Sequence, residues 1–403
     1  MIFEKIKARD GNASLKVNNI LLYSKYRPLV EVDKFIESEF DNNAKGYLLI
    51  GLGLGYHLHS LAKIVYGRKP ILVYALDKKE IELYKSEPFQ MELPDSVIIT
   101  TDIEKITVHT DYQIIIPHVW LQVMEKKHAL YSLLMDIKVK QMSYKRFSPV
   151  MEKNFQENIQ QHFLTLRNFK DSLNKKKVSC LISSGPSLNF TKAWLKAAKG
   201  KAYLLCVGSA LKVLLKEGIV PDGVIISDCQ PIIFEQLKNT GFTGDLFFLS
   251  TADFNTVKSH VGNKYILLQE GYDLAEQYAK KISYPLIETG GSVATTGFSL
   301  LEYLEFETVI LFGQDLGLTG NQTHANNSTS GREILKEEEL VEIESNDGES
   351  IKTLPNLNSY LRWFNYKCKI SECYVYNTAK QGAKIEGVPL ISEKQFYKLI
   401  KNP

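Results

Sequence analysis

The chain has 403 residues, of which 44% are apolar and 24% are charged, and its formal net charge is +3. This length exceeds that of one ordinary compact domain, so we expect two or three domains. The small charge excludes the strongly basic character typical of nucleic-acid binding, and no apolar run approaches the ~18 residues that would predict a membrane-spanning helix.

The first predicted unit is a strand at residues 45–50 that ends in the turn Gly51-Leu52-Gly53-Leu54-Gly55. A helical stretch follows at 56–65, and a second strand at 70–76 ends in Asp77. A glycine-rich turn with a carboxylate closing the next strand is typical of nucleotide-binding folds. We therefore predict a Rossmann-like domain over 1–120, and leave open whether its glycine turn holds a ligand or is structural.

Strand signals then stop, and we expect a helical connector over 121–174. Phe155, Ile159, Phe163 and Leu166 recur at spacings of four, four and three, which describes one apolar helical face. Such a stripe favours packing on a neighbouring domain, and a partner-binding helix is the alternative.

A second α/β region is expected over 175–390, followed by a short C-terminal helix over 391–403. Its apolar runs are separated by helical stretches, which predicts βαβ units and a largely parallel sheet. The runs are at residues 178–183, 202–207, 224–227, 246–250, 265–268 and 308–312. In such sheets ligands gather at the carboxyl ends of the strands.

The turn Ser184-Gly185-Pro186-Ser187 follows the first of these strands. Gly185 allows a close approach of backbone amides, the serines add hydroxyls, and the following helix adds its dipole, so the pattern predicts a phosphate-binding turn. A tight turn with ordinary helix capping is the alternative.

Three more polar turns follow predicted strands. Thr289-Gly290-Gly291-Ser292 allows a ligand to lie against the backbone, with a capped helix as the alternative. Asp315 ends the segment Gly313-Gln314-Asp315 after a strand, and His324 lies nine residues further on in a polar loop. Asp228 closes the strand at 224–227, where it is either a site carboxylate or a loop cap.

The sequence lacks the P-loop motif and the H-E-x-x-H motif, and its five cysteines show no paired metal spacing. We therefore expect no metal and no resident cofactor. Scattered cysteines in odd number suit a reducing compartment, and we expect the protein to be cytoplasmic.

Taken in order, these motifs resemble those of the motility accessory factor (Maf) glycosyltransferases. The resemblance rests on the turns at Ser184, Thr289 and Gly313, on Ser209 in a Gly-Ser-Ala-Leu segment, and on Asn377 near the C-terminus. The central region is also similar to bacterial sialyltransferases and to an archaeal 6-hydroxymethylpterin diphosphokinase-like domain. Where the family often has an acid and a glycine after Asn377, this chain has Ala379-Lys380-Gln381.

The resemblance implies transfer of a nonulosonic acid, of the pseudaminic or legionaminic type, from a CMP-activated donor to Ser or Thr of flagellin. From the charge and the apolar pattern we expect no nucleic-acid partner and no membrane insertion. The sialyltransferase relatives place a histidine base downstream of the acidic loop, but the matching stretch at residues 351–355 has none. The resemblance therefore leaves the base open, and our catalytic candidates are His324, Asp228 and Asp315. The implied donor-binding residues are Ser184, Gly185, Pro186, Ser187, Ser209, Thr289, Gly290, Gly291, Ser292, Gly313, Gln314 and Asn377. The alternatives are an ATP-dependent pterin diphosphokinase-like enzyme and a non-catalytic flagellin-binding protein.

Overall fold

The protein forms two compact units in a computed structural model, one over Met1–Gln141 and one over Met142–Pro403. The structure describes residues 1–89, 92–102, 112–124, 130–173, 177–318, 322, 324–326, 328–329 and 340–401. The boundary between the units falls inside helix α5 (Tyr131–Asn158), and so inside the segment 121–174. Within the described ranges, no helix is both long enough and apolar enough to cross a membrane.

The first unit is built on a four-stranded parallel sheet with strand order β6-β5-β4-β7. The central strand β4 is buried along its whole length, as strands of parallel sheets covered on both faces are. The strands of this unit are β1 (Phe3–Lys7), β2 (Ala13–Val17), β3 (Ile20–Leu21), β4 (Gly46–Ile50), β5 (Ile71–Tyr74), β6 (Val97–Thr100) and β7 (Tyr112–Ile115). Its helices are α1 (Pro28–Glu39), α2 (Tyr56–Val65), α3 (Lys78–Lys85) and α4 (His118–Val123). Strands β1 to β3 form a separate antiparallel sheet.

The second unit is built on an eight-stranded sheet in which every pairing is parallel. Its strand order is β13-β12-β11-β10-β9-β8-β14-β17. These strands are β8 (Val178–Ile182), β9 (Tyr203–Val207), β10 (Gly223–Ile226), β11 (Asp245–Leu249), β12 (Lys264–Gln269), β13 (Leu286–Ile287), β14 (Thr308–Phe312) and β17 (Tyr374–Asn377). A separate hairpin pairs β15 (Val341–Glu344) with β16 (Ser350–Thr353).

Helices connect the strands of this sheet and cover its faces. They are α6 (Leu166–Ser172), α7 (Leu188–Thr191), α8 (Gly208–Lys216), α9 (Phe234–Leu237), α10 (Phe254–Ser259), α11 (Asp273–Ile282), α12 (Val293–Tyr303), α13 (Pro355–Ile370) and α14 (Glu393–Leu399). Strands β8, β9 and β14 are buried at every position, so the core lies on both faces of the sheet.

The path of the chain creates one reversal of direction in the sheet. From β8 the strands are added outward in one direction to β13, and the chain then returns to place β14 on the other side of β8. The loops after β8 and β14 therefore diverge and leave a crevice between them, the position where ligands bind in open α/β sheets.

The fold class predicted from the sequence is confirmed: an α/β protein with a Rossmann-like first unit and a largely parallel second sheet. The six predicted strands of the second region coincide with β8 to β12 and β14, and the prediction for β14 matches at both ends. Strands β13 and β17, which are short or at the edge, were not predicted.

The single helical face expected through Phe155, Ile159, Phe163 and Leu166 is wrong. Helix α5 ends at Asn158 and α6 begins at Leu166, with an isolated β-bridge from Leu164 to Tyr265 between them. The four apolar side chains still pack on the core of the second unit. The amides of Asn154 and Asn158 are buried and donate to loop carbonyls after β10 and β11, so polar anchoring fixes the end of α5.

Candidate functional site

Asp315 lies at the crevice between β8 and β14, with its side chain facing the turn after β8. It is only 3% exposed. Both of its carboxylate oxygens lie 3.1 Å from the backbone nitrogen of Ser187, and Oδ2 accepts a hydrogen bond from Ser187 Oγ at 2.8 Å. Burial raises the pKa of the Asp315 carboxyl to about 6, although the bonds from Ser187 oppose this rise. Asp315 can therefore exchange a proton near neutral pH.

The glycines of these two turns are required by close packing around Asp315. A Cβ on Gly185 would lie 2.1 Å from Asp315 Oδ2 and 2.4 Å from the carbonyl oxygen of Gly313. Gly313 has a φ of +61°, and a Cβ there would lie 2.2 Å from the carbonyl oxygen of Ser183. Leu316 directly follows Asp315 with a φ of +51°, which is strained for a residue with a side chain. The backbone thus holds Asp315 in place from both sides.

Ser184 and Ser209 meet on the opposite side of the same turn. Their Oγ atoms are 2.7 Å apart, and both side chains are buried. Ser209 lies in the first turn of α8, so the hydroxyl pair is next to a helix N-terminus. Each hydroxyl carries one proton, and the hydrogen bond between the two Oγ atoms uses only one of these protons. The second proton can therefore be donated to a ligand.

His324 lies in a loop that crosses the turn after β8. The backbone nitrogen of the next residue, Ala325, donates to the carbonyl oxygen of Ser184 at 2.7 Å, and Asn326 N donates to Asn189 Oδ1. The His324 side chain is half-buried. The structure therefore places His324 on the loop above Ser184.

The turn at Thr289 to Ser292 begins α12 as a capped helix start. Ser292 Oγ accepts from Thr295 N, and Thr295 Oγ1 accepts from the backbone nitrogens of Gly290 and Ser292. A Cβ on Gly290 would lie 2.5 Å from the ring of Trp363. The close packing of Trp363 in α13 therefore explains why residue 290 is a glycine. The hydrogen bonds of this turn are those of a capped helix start, the alternative given by the sequence.

Asp228 lies at the same edge of the sheet but is exposed. Its Oδ1 accepts from the backbone nitrogen of Gln230 at 2.9 Å, as in a loop cap. Burial raises the pKa of the nearby Tyr360 phenol, and the charge of Asp228 adds to this rise. Tyr360 also lies 3.3 Å from the position of a Cβ on Gly291, in the glycine turn before α12.

Two of the predicted donor-binding residues make internal hydrogen bonds that shape the loops. Gln314 Oε1 accepts from Ser183 Oγ at 2.6 Å, and Asn377 Oδ1 accepts from Ala379 N at 3.0 Å. Asn377 is fully buried, and its Nδ2 has no hydrogen-bond partner among the described residues. Pro186, also buried, shapes the turn between Gly185 and Ser187.

A cavity of about 600 Å³ opens beside Asp315. Its lining residues come from the segment between β8 and β9, which includes α7, from the loops after β14 and β17, and from the start of α14. They are Ser187, Phe190, Thr191, Trp194, Asp315, Thr378, Lys380, Gln381, Leu390, Ile391, Ser392 and Glu393. Of the residues predicted for the site, only Ser187 and Asp315 line this cavity. Trp194 and Lys380 were missed, because neither is in a glycine turn or ends a strand.

The glycine turn of the first unit is filled by the protein itself. Glu80 is fully buried, and its Oε2 accepts from the backbone nitrogens of Leu52 and Gly53 at 2.6 and 2.7 Å. Tyr23 Oη accepts from Leu54 N at 3.0 Å, and Asp77 caps α3 by accepting from Lys79 N. The amides that would hold an anion in a nucleotide site are therefore already bonded.

Glu80→Ala is expected to destabilise the glycine turn by about 2–5 kcal/mol, because two buried amides lose their acceptor. Hydrogen exchange of the amides at Leu52 and Gly53 in the full chain measures this as faster exchange. Glu82→Ala, on the exposed face of the same helix, is the control and leaves exchange unchanged. Unchanged exchange in Glu80→Ala would mean that the contact contributes nothing.

Comparisons with known proteins agree with the resemblance noted in the sequence. The family model for 6-hydroxymethylpterin diphosphokinase MptE-like proteins matches residues 151–321. A solved structure of an MAf glycosyltransferase from Magnetospirillum magneticum AMB-1 superposes with a TM-score of 0.51 at 14% identity, over 97% of this chain and 70% of that one. An uncharacterized protein of Treponema pallidum (strain Nichols) is 46% identical over 52 residues, which are 12% of this chain and 18% of that protein. The structural likeness shows a shared fold over nearly the whole chain.

Proposed function

We propose that this chain, which shares its fold with an MAf glycosyltransferase and carries an MptE-like central region, is itself a glycosyltransferase. Its donor would be a CMP-activated nonulosonic acid of the pseudaminic or legionaminic type, and its acceptor a Ser or Thr hydroxyl of flagellin. The observation that carries the proposal is Asp315, a buried carboxyl with a pKa of about 6, at the reversal point of a parallel sheet and at the edge of a ligand-sized cavity.

In the proposed reaction the acceptor oxygen attacks the anomeric carbon of the sugar. The bond from that carbon to the phosphate oxygen breaks, CMP leaves with the bonding electrons, and the base takes the acceptor proton. CMP is a good leaving group, so the protein mainly has to position the acceptor and stabilise phosphate charge. The Ser184–Ser209 hydroxyl pair at the start of α8 is suited to that phosphate.

Asp315 is the strongest of the three candidate bases. A general base works best when its pKa is near the working pH, and Asp315 is both buried and close to that range. Asp228 is exposed and bonded to its own loop, which suits a cap. His324 lies on the loop above Ser184, and it is the second candidate.

Ser209→Ala is expected to weaken CMP binding about tenfold, because one hydroxyl of the phosphate-binding pair is lost. Isothermal titration calorimetry with CMP measures the change. Ser259→Ala, whose hydroxyl bonds within α10, is the matched control and leaves the affinity unchanged. Equal affinities for the Ser209→Ala variant and the unaltered protein would remove this pair from the donor site.

Loss of the sugar from flagellin is the decisive test of the whole activity. Flagellin from cells that lack this protein is expected to show no nonulosonic acid by mass spectrometry, and the protein restores it when supplied again. Flagellin that stays modified contradicts the proposal. Flagellin binding without any transfer would instead favour a non-catalytic role.

The match to the MptE-like family model favours one other candidate, a pterin diphosphokinase-like enzyme. That enzyme would transfer the β,γ-diphosphate of ATP, in the presence of Mg²⁺, to the oxygen of a hydroxymethyl group, and AMP would leave. Calorimetry separates the two functions: binding of ATP with Mg²⁺ and no response to CMP would replace glycosyl transfer with this activity.

We also propose that the reaction takes place in the cytoplasm. All five cysteines are free thiols, as is usual in a reducing compartment.

A further inference from the structure

The cavity beside Asp315 has a polar floor and an aromatic wall. Asp315, Ser187 and Thr378 are buried at its floor. Trp194 forms part of the wall and packs edge-on against Phe312, while Phe190 is 74% exposed at the mouth. The Phe190 ring lines the cavity and is accessible to a ligand that enters it. The lining therefore suits a ligand that has apolar and polar faces, such as a sugar with N-acyl groups.

Lys380 is the one cationic side chain among the described residues that line this cavity. It is exposed, and within the described part of the chain its ammonium forms no ion pair or hydrogen bond. Glu393 also lies at the rim, where its Oε1 accepts from Tyr397 Oη at 2.6 Å. Lys380 is thus free to pair with an anionic group that enters the cavity.

We propose that Lys380 binds the carboxylate of the donor sugar, while Phe190 and Trp194 pack against the apolar face of that sugar. This inference rests on the proposed function. A nonulosonic acid carries a carboxylate on its anomeric carbon, whereas ordinary hexoses do not. Lys380 would therefore select carboxylated sugars over neutral ones.

The position of the turn after β8 is compatible with this arrangement. Ser184, at one end of the turn, contacts Ser209, and Ser187, at the other end, contacts Asp315 and the cavity. A donor whose phosphate is bound at Ser184 would extend along the turn from Ser184 to Ser187 and place its sugar in the cavity that Ser187 lines. Asp315 and Lys380 both line that cavity, so a sugar placed there faces both residues.

The test compares two ligands, CMP and CMP-N-acetylneuraminic acid, by calorimetry without acceptor. Lys380→Gln removes the charge and leaves a polar side chain that is one atom shorter, so it is expected to weaken binding of CMP-N-acetylneuraminic acid about tenfold and to leave CMP binding unchanged. Lys380→Arg is expected to retain most of the affinity for the sugar nucleotide. Lys384→Gln, which loses an exposed ion pair to Glu344, is the matched control and changes neither affinity.

Each possible result decides between the proposals. If the sugar nucleotide binds and Lys380→Gln leaves its affinity unchanged, the carboxylate subsite is overturned and glycosyl transfer stands. If neither CMP nor the sugar nucleotide binds to the unaltered protein, the proposed function itself fails. A second variant, Phe190→Ala, truncates an exposed side chain and is expected to lower the affinity for the sugar nucleotide alone; an equal loss for CMP would contradict an aromatic wall that contacts only the sugar.

Discussion

Asp315→Asn is expected to lower the turnover number by about 10²–10⁴-fold, because asparagine cannot accept the acceptor proton. Its amide oxygen can still accept from Ser187, so the turn after β8 is retained and CMP affinity changes little. Initial-rate measurements with CMP-activated legionaminic or pseudaminic acid and a flagellin peptide give the turnover number. In the unaltered enzyme the turnover number rises with pH through about 6, where Asp315 becomes ionised.

Asp273→Asn, in an exposed position on α11, is the control for this substitution. If His324→Ala abolishes turnover while Asp315→Asn retains it, the base is His324. An unchanged turnover number in both variants would exclude both residues as the base.

Asp315→Asn is also expected to change how the free energy of unfolding depends on pH. The pKa of Asp315 is raised in the folded state from 3.8 to about 6, so folding favours its protonated form. This contribution is fully present below pH 4 and is lost as the pH rises through 6, a change of about 3 kcal/mol in the free energy of unfolding. Urea denaturation at several pH values is expected to show this loss in the unaltered protein, and Asp315→Asn removes the Asp315 part of it.

Gly185→Ala is expected to have the second large effect, because the added Cβ would overlap Asp315 Oδ2 and the backbone oxygen of Gly313. The backbone oxygen of Gly313 cannot move away as the end of a flexible side chain can. We therefore expect a loss of about 1–3 kcal/mol or more in the free energy of unfolding. Asp315 is displaced at the same time, so turnover falls as far as in Asp315→Asn. Denaturation and rate measurements on one preparation give both values.

Gly317→Ala is the matched control for this prediction. A Cβ on Gly317 would meet only Ile351 Cδ1 closely, at 2.6 Å, and that atom is the tip of a flexible side chain. Its cost in stability is therefore expected to be smaller, with turnover retained. Equal costs at Gly185 and Gly317 would mean that the packing around Asp315 is looser than the distances indicate.

The sequence reveals the local part of this architecture. Strand β14 and the polar segment after it can be predicted from the sequence, because an unbroken apolar run ends at a glycine. The parallel sheet and the carboxyl-end location of the polar turns follow from the alternation of strands and helices. The spacing of apolar residues predicts that the helix continues through Ile159, but α5 ends at Asn158.

The contacts that define the site are not local and could not be predicted. Nothing near Ser184 indicates that it meets Ser209, because that contact depends on β9 pairing with β8. The carboxylate in the first glycine turn comes from Glu80, three residues beyond the Asp77 that the nucleotide-fold pattern selects. Trp194 carries no pattern of its own, since a single aromatic residue in a short helical segment is usually core.

The contact between Ser187 and Asp315 also constrains when the site can form during synthesis. The two residues are 128 positions apart, and β8 is joined to β14 only after the strands β9 to β13 have been made. A pairing of such long range is slow to form, because a large loop must close before the contact stabilises the chain. A nascent chain on the ribosome can therefore build six of the eight strands, β8 to β13, while Asp315 is still in the exit tunnel. The crevice at Asp315 is then among the last parts of this unit to be assembled.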